Sequence, residues 1–318
     1  MKSRICFSAF IAACSLGVSA FSQIQNGKYV FNNETCVTGY SAHIFTEINL
    51  ADARAAANVM LQEIINNWAY NLKSQVVIYE DINALRTDIL GRNVDIIVMT
   101  TPEYLMLRNQ VNITPFLTYK IEDRTLDRML LVTRTDSGIR SVIQLKGREI
   151  AVYTVLNDEL DLPKLWFTTL VLKSGGNYRN EYASSVYEVR KGNTTISDVF
   201  FRKADAAVVT ERNFVISREL NPQIGAQLSM IDSSKYLLYS VLCYTEKMTT
   251  SLSRYKDRNL QSVSDMLCNA NNTEIGKHLL NVFRVSSFIP FEDVYIKDTE
   301  DLFNDFRTLS ANQNQRLK

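Results

Sequence analysis

Two apolar segments of this chain begin and end in the same way, 110 positions apart. Asp95 opens the segment DIIVMT and Asp205 opens the segment DAAVVT, and Thr100 and Thr210 close them. A short, uninterrupted apolar run between polar residues is typical of a parallel strand that is covered on both faces. We therefore expect each half of the chain to contain a buried parallel strand that ends in a threonine.

The pattern around these two segments also occurs twice. In the first half, the predicted elements are a strand at 35–40, a long amphipathic helix with apolar positions from 53 to 72, a strand at 75–79, a helix at 82–90 and a strand at 94–100. In the second half, they are a strand at 150–153, a helix at 163–173, a strand at 185–189, a short helix capped by Thr194 and a strand at 204–210. This alternation predicts an α/β fold of two similar lobes, with parallel sheets and right-handed crossovers.

Two further apolar segments lie outside this repeat. Residues 128–134 (RMLLVTR) precede the second unit, and residues 236–244 (YLLYSVLCY) follow it. Both are placed where a chain would cross between lobes, so we interpret them as hinge strands. The prediction is a first lobe made of 24–135 plus 236–318 and a second lobe made of 136–235.

The first 20 residues have the features of a secretory signal. Lys2 and Arg4 provide positive charge, an apolar stretch follows, and Val18-Ser19-Ala20 fits a cleavage site. Cleavage after Ala20 predicts a periplasmic protein exported by a Gram-negative-type signal peptide. Ile11-Ala12-Ala13-Cys14 fits a lipoprotein cleavage box as the alternative, but it comes early and truncates the apolar stretch.

The net charge and the number of cysteines bear on the partners and the disulfides of the mature chain. The net charge of +1 becomes about −1 once Lys2 and Arg4 are removed, which argues against nucleic acid as a partner. Cys36, Cys243 and Cys268 remain, and this odd number allows one disulfide and one free thiol. Cys243 and Cys268 are the closer pair in sequence, so a disulfide would join these two, but the sequence is equally consistent with burial of both as small apolar side chains.

The chain lacks the recognised catalytic motifs. It contains two histidines, His43 and His278, and no nucleophile elbow, zinc-protease motif, phosphate-binding loop or Cys-x-x-Cys pair. His43 and Glu47 are four residues apart, but two ligands are a weak metal signal. We therefore expect a binding protein without cofactor or metal, acting as a monomer, and an exported enzyme that uses a carboxylate or tyrosine is the alternative.

Four segments carry a resemblance to a known family. They are DINALRTDILGRNVDIIVMTTPEYL (81–105), DSGIRSVIQLKGREIAVY (136–153), VFFRKADAAVVTERNF (199–214) and ELNPQIGAQL (219–228). The chain resembles the phosphate, phosphite and phosphonate type of periplasmic substrate-binding proteins of ABC transporters. The resemblance implies a two-lobed type II periplasmic-binding fold, or flytrap, with two hinge strands. It also implies capture of a small oxyanionic ligand for an ABC permease; a flytrap that signals to a membrane histidine kinase or cyclase is the alternative.

One loop departs from that family. Many members carry a Ser-x-Ser-Gly-like loop after the first strand of the second lobe, whereas residues 153–163 read YTVLNDELDLP here. Asp158 and Glu159 of this loop would favour an amine-bearing ligand over a bare anion if they faced the cleft.

The candidate ligand-binding residues follow the predicted parallel strands, because ligands of open α/β sheets lie beyond the carboxyl ends of the strands. These residues are Tyr40, Ser41, Thr100, Thr101, Tyr153, Thr154 and Thr210. Thr101 is also expected to cap the helix that begins at Pro102. We expect backbone N–H groups at the helix N-termini and hydroxyls, rather than Arg or Lys, to attract the ligand; plain structural roles for the threonines are the alternative.

Overall fold

The strands of this protein lie in three sheets. The computed structural model describes residues 23–25, 28–30, 35–45, 50–67, 73–154, 160–252 and 259–316, so the predicted signal segment and Cys14 lie outside the described residues. The strands are β1 (Gln23–Gln25), β2 (Lys28–Val30), β3 (Thr35–Ser41), β4 (Lys73–Tyr79), β5 (Ile96–Thr100), β6 (Ile113–Lys120), β7 (Met129–Arg134), β8 (Ile150–Tyr153), β9 (Val186–Val189), β10 (Ala206–Thr210), β11 (Leu228–Ser233), β12 (Ser240–Thr245) and β13 (Ser287–Pro290).

Helices connect most of these strands. They are α1 (Leu50–Asn67), α2 (Ile82–Leu90), α3 (Thr101–Leu107), α4 (Leu162–Lys173), α5 (Gly192–Phe200), α6 (Glu211–Leu220), α7 (Pro222–Gln227), α8 (Glu246–Leu252), α9 (Leu260–Cys268), α10 (Glu274–Val282) and α11 (Asp293–Arg316). Among the described residues, no helix combines the length and apolar character needed to cross a membrane.

The two large sheets have corresponding strand orders. The first is β13-β6-β12-β5-β3-β4 and the second is β11-β7-β10-β8-β9. In each, three parallel strands are followed by one antiparallel strand: β12 pairs antiparallel with β5, and β7 pairs antiparallel with β10. The predicted α/β architecture with a repeated unit is therefore confirmed, and β6, β11 and β13 are strands that sequence reasoning did not identify.

The chain passes between the two sheets at two segments that pair with each other. Asp127 and Leu237 form an isolated antiparallel bridge, in which each backbone N–H donates to the other's carbonyl, at 3.2 and 2.7 Å. We call residues 121–128 and 234–239 the crossing segments. β7 belongs to the second sheet although it precedes the predicted boundary at 135; the division into 24–135 plus 236–318 and 136–235 stays a prediction.

Helix α11 packs against elements that follow strands of both sheets. It contacts α3, which follows β5 of the first sheet, and α4, which follows β8 of the second. Thr299 Oγ1 accepts the N–H of Leu238 at 2.8 Å, and Lys173 pairs with Asp305 at 2.5 Å. One apolar cluster accordingly includes residues of both sheets together with Phe303 of α11.

The two aspartates that open the repeated segments occupy equivalent positions. Asp95 and Val37 exchange hydrogen bonds: the Asp95 N–H donates to the Val37 carbonyl at 2.9 Å, and the Val37 N–H donates to Asp95 Oδ2 at 2.8 Å. Asp205 and Glu149 do the same at 2.8 and 3.1 Å. The sites differ in burial, because the Asp95 side chain is 2% exposed and pairs with Lys247 at 2.7 Å, whereas that of Asp205 is 34% exposed.

Cys36, Cys243 and Cys268, the cysteines among the described residues, are free thiols, so of the two alternatives left open for Cys243 and Cys268 the disulfide is wrong. Cys243 faces the apolar cluster that contains Met99, whereas Cys268 packs against the cluster that contains Val98, on the opposite face of the sheet. Burial raises the pKa of the Cys36 thiol to about 12, and the nearby charge of Asp95 adds to this rise.

The helix that we expected Thr194 to cap begins two residues earlier. Helix α5 starts at Gly192, and Lys191 precedes it as the cap residue. A side chain at Gly192 would meet Asn213, because a Cβ there would lie 2.0 Å from Asn213 Nδ2. Gly192 therefore lets the start of α5 approach α6 closely.

The paired aspartates provide a test of this account of the sheets. We expect Asp95→Ala to lower the free energy of unfolding by about 2–4 kcal/mol, because it leaves the Val37 N–H and Lys247 without their buried acceptor. Asp205→Ala is the matched control and should cost no more than about 1 kcal/mol, since water reaches its site. Urea denaturation of both variants measures the difference, and equal losses would contradict the assigned role of Asp95.

Candidate functional site

A buried carboxylate lies at the carboxyl ends of β3 and β5. Glu103 is 2% exposed and receives four contacts. Ser41 Oγ donates to its Oε1 at 2.7 Å, and the Nδ1 of His43 lies 2.7 Å from the same atom. The N–H and Oγ1 of Thr100 both donate to Oε2 at 2.8 Å. Both carboxylate oxygens are thus used to hold Ser41, His43 and Thr100 in place.

The cap of α3 is Thr100 and not Thr101, which corrects the sequence prediction. Thr100 has the extended backbone of a cap residue and forms a capping box with Glu103. Thr101 is the first helical residue; it is fully buried, and its Oγ1 has no partner within the described residues.

The first turn of α3 has no backbone N–H left for a ligand. The Thr101 N–H donates to the Tyr239 carbonyl at 2.9 Å, Pro102 has none, and the Glu103 N–H donates to Thr100 Oγ1 at 3.4 Å. The N–H groups of the expected cradle at this helix are therefore already paired in the described structure, and a part for them in ligand binding stays a prediction.

The first turn of α6 is closed in a corresponding way. Thr210 caps it, and the Glu211 N–H donates to the Arg128 carbonyl at 2.8 Å. Burial raises the pKa of the Asp127 carboxyl, and two groups oppose this rise: the Arg128 N–H, which donates to Asp127 Oδ1 at 2.8 Å, and the charge of Arg212. In both halves, a crossing segment supplies the acceptor for the first N–H of the helix.

Tyr40 lies in the apolar core of the first half. Its ring stacks on Phe283 with centroids 5.2 Å apart and contacts Phe45 at 5.7 Å. Burial raises the pKa of the Tyr40 hydroxyl. These surroundings favour a packing role for Tyr40.

Tyr153 is the last residue of β8 in the second sheet, and Thr154 directly follows it. Thr154 is buried, its Oγ1 donates to Asp161, and its N–H donates to the Val189 carbonyl at 3.1 Å. Tyr153 is half-buried. Asp158 and Glu159 of the following loop lie outside the described residues.

Charged and phenolic groups from both halves surround Tyr239 of the second crossing segment. Burial raises the pKa of Tyr239 well above its usual range, and the charges of Asp127, Tyr153 and Asp161 raise it further, while Arg212 lowers it. Tyr239 directly precedes β12 of the first sheet, whereas Tyr153 ends β8 and Arg212 follows β10 of the second. The carbonyls of Tyr239 and Arg128 accept the first N–H groups of α3 and α6, so the carboxyl ends of β5 and β10 both adjoin the paired crossing segments; we call the space between these ends the cleft.

Arg212 is a cleft residue that sequence reasoning missed. It is the second residue of α6 and half-buried, and its side chain forms no hydrogen bond or ion pair with any described residue. A sequence signal existed, because a cation in the first helical turn opposes the helix dipole and so calls for another reason to be there.

Tyr119 and Ser240 are two more cleft residues that the sequence did not reveal. Tyr119 of β6 lies close enough to Arg212 to be affected by its charge. Burial raises the pKa of Tyr119, while the side chain of Ser240 and the charge of Arg212 lower it. Ser240 is 2% exposed, and although Tyr119 is near, Ser240 Oγ has no partner of good geometry among the described residues. A buried hydroxyl without a partner is unfavourable unless something else bonds to it.

The Ser41, His43 and Glu103 cluster is not arranged as a catalytic relay. In a relay, the imidazole lies between the hydroxyl and the carboxylate. Here Ser41 Oγ donates to Glu103 directly and lies 3.1 Å from the same ring nitrogen of His43 that contacts the carboxylate. No group of three potential metal ligands occurs among the described residues, and Glu47 lies outside them.

A comparison with known protein families identifies the family of this chain. The model of the family of periplasmic substrate-binding proteins of ABC phosphonate transporters matches residues 51–295. A search of curated proteins found no significant match.

Solved structures share the fold. A Xanthomonas citri protein bound to ATP has a TM-score of 0.62 at 14% identity, covering 88% of this chain and 99% of its own. PhnD1 of Prochlorococcus marinus in complex with methylphosphonate has a TM-score of 0.58 at 13% identity, covering 87% and 99%. A binding protein component of an ABC phosphonate transporter from Pseudomonas aeruginosa has a TM-score of 0.54 at 12% identity, covering 90% and 100%. The predicted two-lobed type II periplasmic-binding fold is therefore confirmed.

The two adjacent threonines should respond differently to the same substitution. Thr100→Val removes the cap bond from the Glu103 N–H and the hydroxyl bond to Glu103 Oε2, so we expect a loss of about 1–2 kcal/mol in the free energy of unfolding. Thr101→Val removes a hydroxyl that has no partner, so stability without ligand should be unchanged or higher. Urea denaturation compares them, and a larger loss for Thr101→Val would contradict the cap assignment.

Proposed function

Because this chain belongs to the family of periplasmic substrate-binding proteins of ABC phosphonate transporters, we propose that it captures a small oxyanion of the phosphonate or phosphate type in the cleft. The ligand is then delivered to an ABC permease. The observation that carries this proposal is that the carboxyl ends of β5 and β10, one from each sheet, adjoin the same pair of crossing segments around Tyr239. A ligand that contacts both sides of such a cleft favours closure of the two lobes, which is how flytrap proteins respond to ligand.

The predicted ligand-binding residues take different parts in this proposal. Tyr153 is half-buried beside the cleft and is proposed as a ligand contact. Thr154, next to it, is buried, so closure must expose its polar atoms before they can bind the ligand. Ser41 and Thr100 are held by Glu103 at the carboxyl ends of β3 and β5, so they present a fixed wall to the ligand. Roles for the remaining predicted residues, which are buried, require that closure exposes their polar atoms to the ligand; they are Tyr40, Thr101 and Thr210.

Transport is favoured over the other two candidate functions. The matched family is a substrate-binding component of transporters and not an enzyme family. A sensory flytrap would share the same cleft and differ only in its membrane partner. A binding protein releases its ligand unchanged, whereas an enzyme converts it.

We further propose that residues 1–20 direct export and are removed after Ala20. The family is periplasmic, which supports an exported chain. The charged start and apolar stretch of residues 1–20 support a signal peptide.

The ligand class can be tested by thermal unfolding with phosphate, phosphite, methylphosphonate, 2-aminoethylphosphonate and ethanesulfonate, with acetate at equal ionic strength as the control. A ligand at 100 times its Kd stabilises the folded state by about 2.7 kcal/mol, so Tm should rise by several degrees for at least one phosphorus oxyanion. Phosphorus NMR after long incubation should show that compound unchanged. A flat response to all probes, or conversion of the bound one, would contradict the proposal.

Export can be tested by the mass of the mature protein from the periplasm. Cleavage after Ala20 predicts a chain that begins at Phe21. Cys14→Ser should leave this mass and location unchanged. A lipid-modified chain that begins at Cys14, lost in the Cys14→Ser variant, would support the lipoprotein alternative instead.

A further inference from the structure

We propose that the guanidinium of Arg212 holds the oxyanion of the ligand, with the hydroxyls of Tyr119 and Ser240 as donors from the other side of the cleft. This inference rests on the proposed function and adds the residues that recognise the charge. The ligand class that fits is a small tetrahedral oxyanion with at least two unsubstituted oxygens. Such an anion can accept two N–H bonds from a guanidinium and hydroxyl bonds on its remaining oxygen.

The position of Arg212 is costly without a ligand. A cation in the first turn of a helix meets the positive end of the helix dipole. The guanidinium carries five N–H donors, is half-buried, and bonds to no described side chain or carbonyl. An anion gains more binding free energy at a partly buried cation with unused donors than at a cation that is exposed or already paired.

The neighbouring acids do not neutralise Arg212. Glu211 is committed elsewhere, because its Oε1 accepts Nε and Nη2 of Arg128 at 3.0 and 2.6 Å, and its Oε2 accepts the Tyr236 hydroxyl at 3.2 Å. Asp127 is close enough for its charge to interact with that of Arg212, but the two form no ion pair. The guanidinium donors therefore remain available to a ligand.

Tyr119 and Ser240 complete the cradle from the first sheet. Tyr119 lies on β6 and Ser240 begins β12, which pairs with β6. Ser240 Oγ is buried and has no partner of its own among the described residues, so it is a donor in need of an acceptor. Since Arg212 belongs to the second half and these hydroxyls to the first, one oxyanion bound by all three would bridge the lobes.

The helix N-termini do not provide the same recognition. The first N–H groups of α3 and α6 already donate to Tyr239 and Arg128. Hydroxyls can donate to an oxyanion but carry no positive charge, whereas a guanidinium adds a full positive charge and a planar pair of N–H donors. The positive charge must then come from a side chain, and Arg212 is the half-buried candidate in the cleft.

The test is titration calorimetry of methylphosphonate and inorganic phosphate with the mature chain and matched variants. Arg212→Met should weaken binding of the better probe by at least about tenfold, and Arg212→Lys by less, because it keeps the charge but not the paired donors. Tyr119→Phe and Ser240→Ala should each weaken binding by about threefold to tenfold. Arg218→Met, on the same helix but exposed over Phe214, is the control and should bind like the parent.

Two further readouts separate recognition from folding. Without ligand, Arg212→Met should unfold at the parent's Tm or above it, since a cation is removed from a helix N-terminus. The affinity of the parent should fall with added salt, and that of Arg212→Met should fall less. Any other phosphorus oxyanion that raises the Tm of the parent is titrated in the same way. If Arg212→Met binds such a compound as well as the parent does, this inference is overturned while the proposed function stands; if the parent binds no phosphorus oxyanion, the proposed function fails and this inference with it.

Discussion

The hydrogen bonding of β5 and β10 is the constraint on which the rest of this structure depends. β5 and β10 each pair with a parallel strand on one side. On the other side, each pairs with an antiparallel strand that adjoins a crossing segment, β12 for β5 and β7 for β10. Buried backbone groups must be paired, so neither sheet is complete until the chain has crossed. The crossing therefore serves the stability of both sheets as well as linking them.

The same constraint decides what can recognise a ligand. The carbonyls of Tyr239 and Arg128, in the crossing segments, accept the first N–H groups of α3 and α6. These helices thereby lose the donors that make a helix N-terminus an anion site. Because these N–H groups are already paired, charge recognition passes to a side chain in our proposal, and Arg212 is the candidate.

Sequence reasoning succeeded where local pattern dictates structure. Asp81 caps α2 and Gly91 ends it, as its residue types predict, and the echo of Asp95 in Asp205 corresponds to equivalent hydrogen bonds. It failed where the deciding contact is distant in sequence. Gly192 is needed at the start of α5 because a side chain there would meet Asn213 of α6. Arg212 becomes a candidate ligand-binding residue only because the fold brings Tyr119 and Tyr239 near it.

The central claim is that an oxyanion is held between the two sheets by groups from both. The most direct measurement is a crystal structure of the mature chain grown with the phosphonate that stabilises it most. The account predicts phosphonate oxygens within hydrogen-bonding distance of Arg212 on one side and of Tyr119 or Ser240 on the other. A phosphonate bound elsewhere, for example in the groove lined by Val215, Arg218 and Pro222, with the cleft empty, would contradict it.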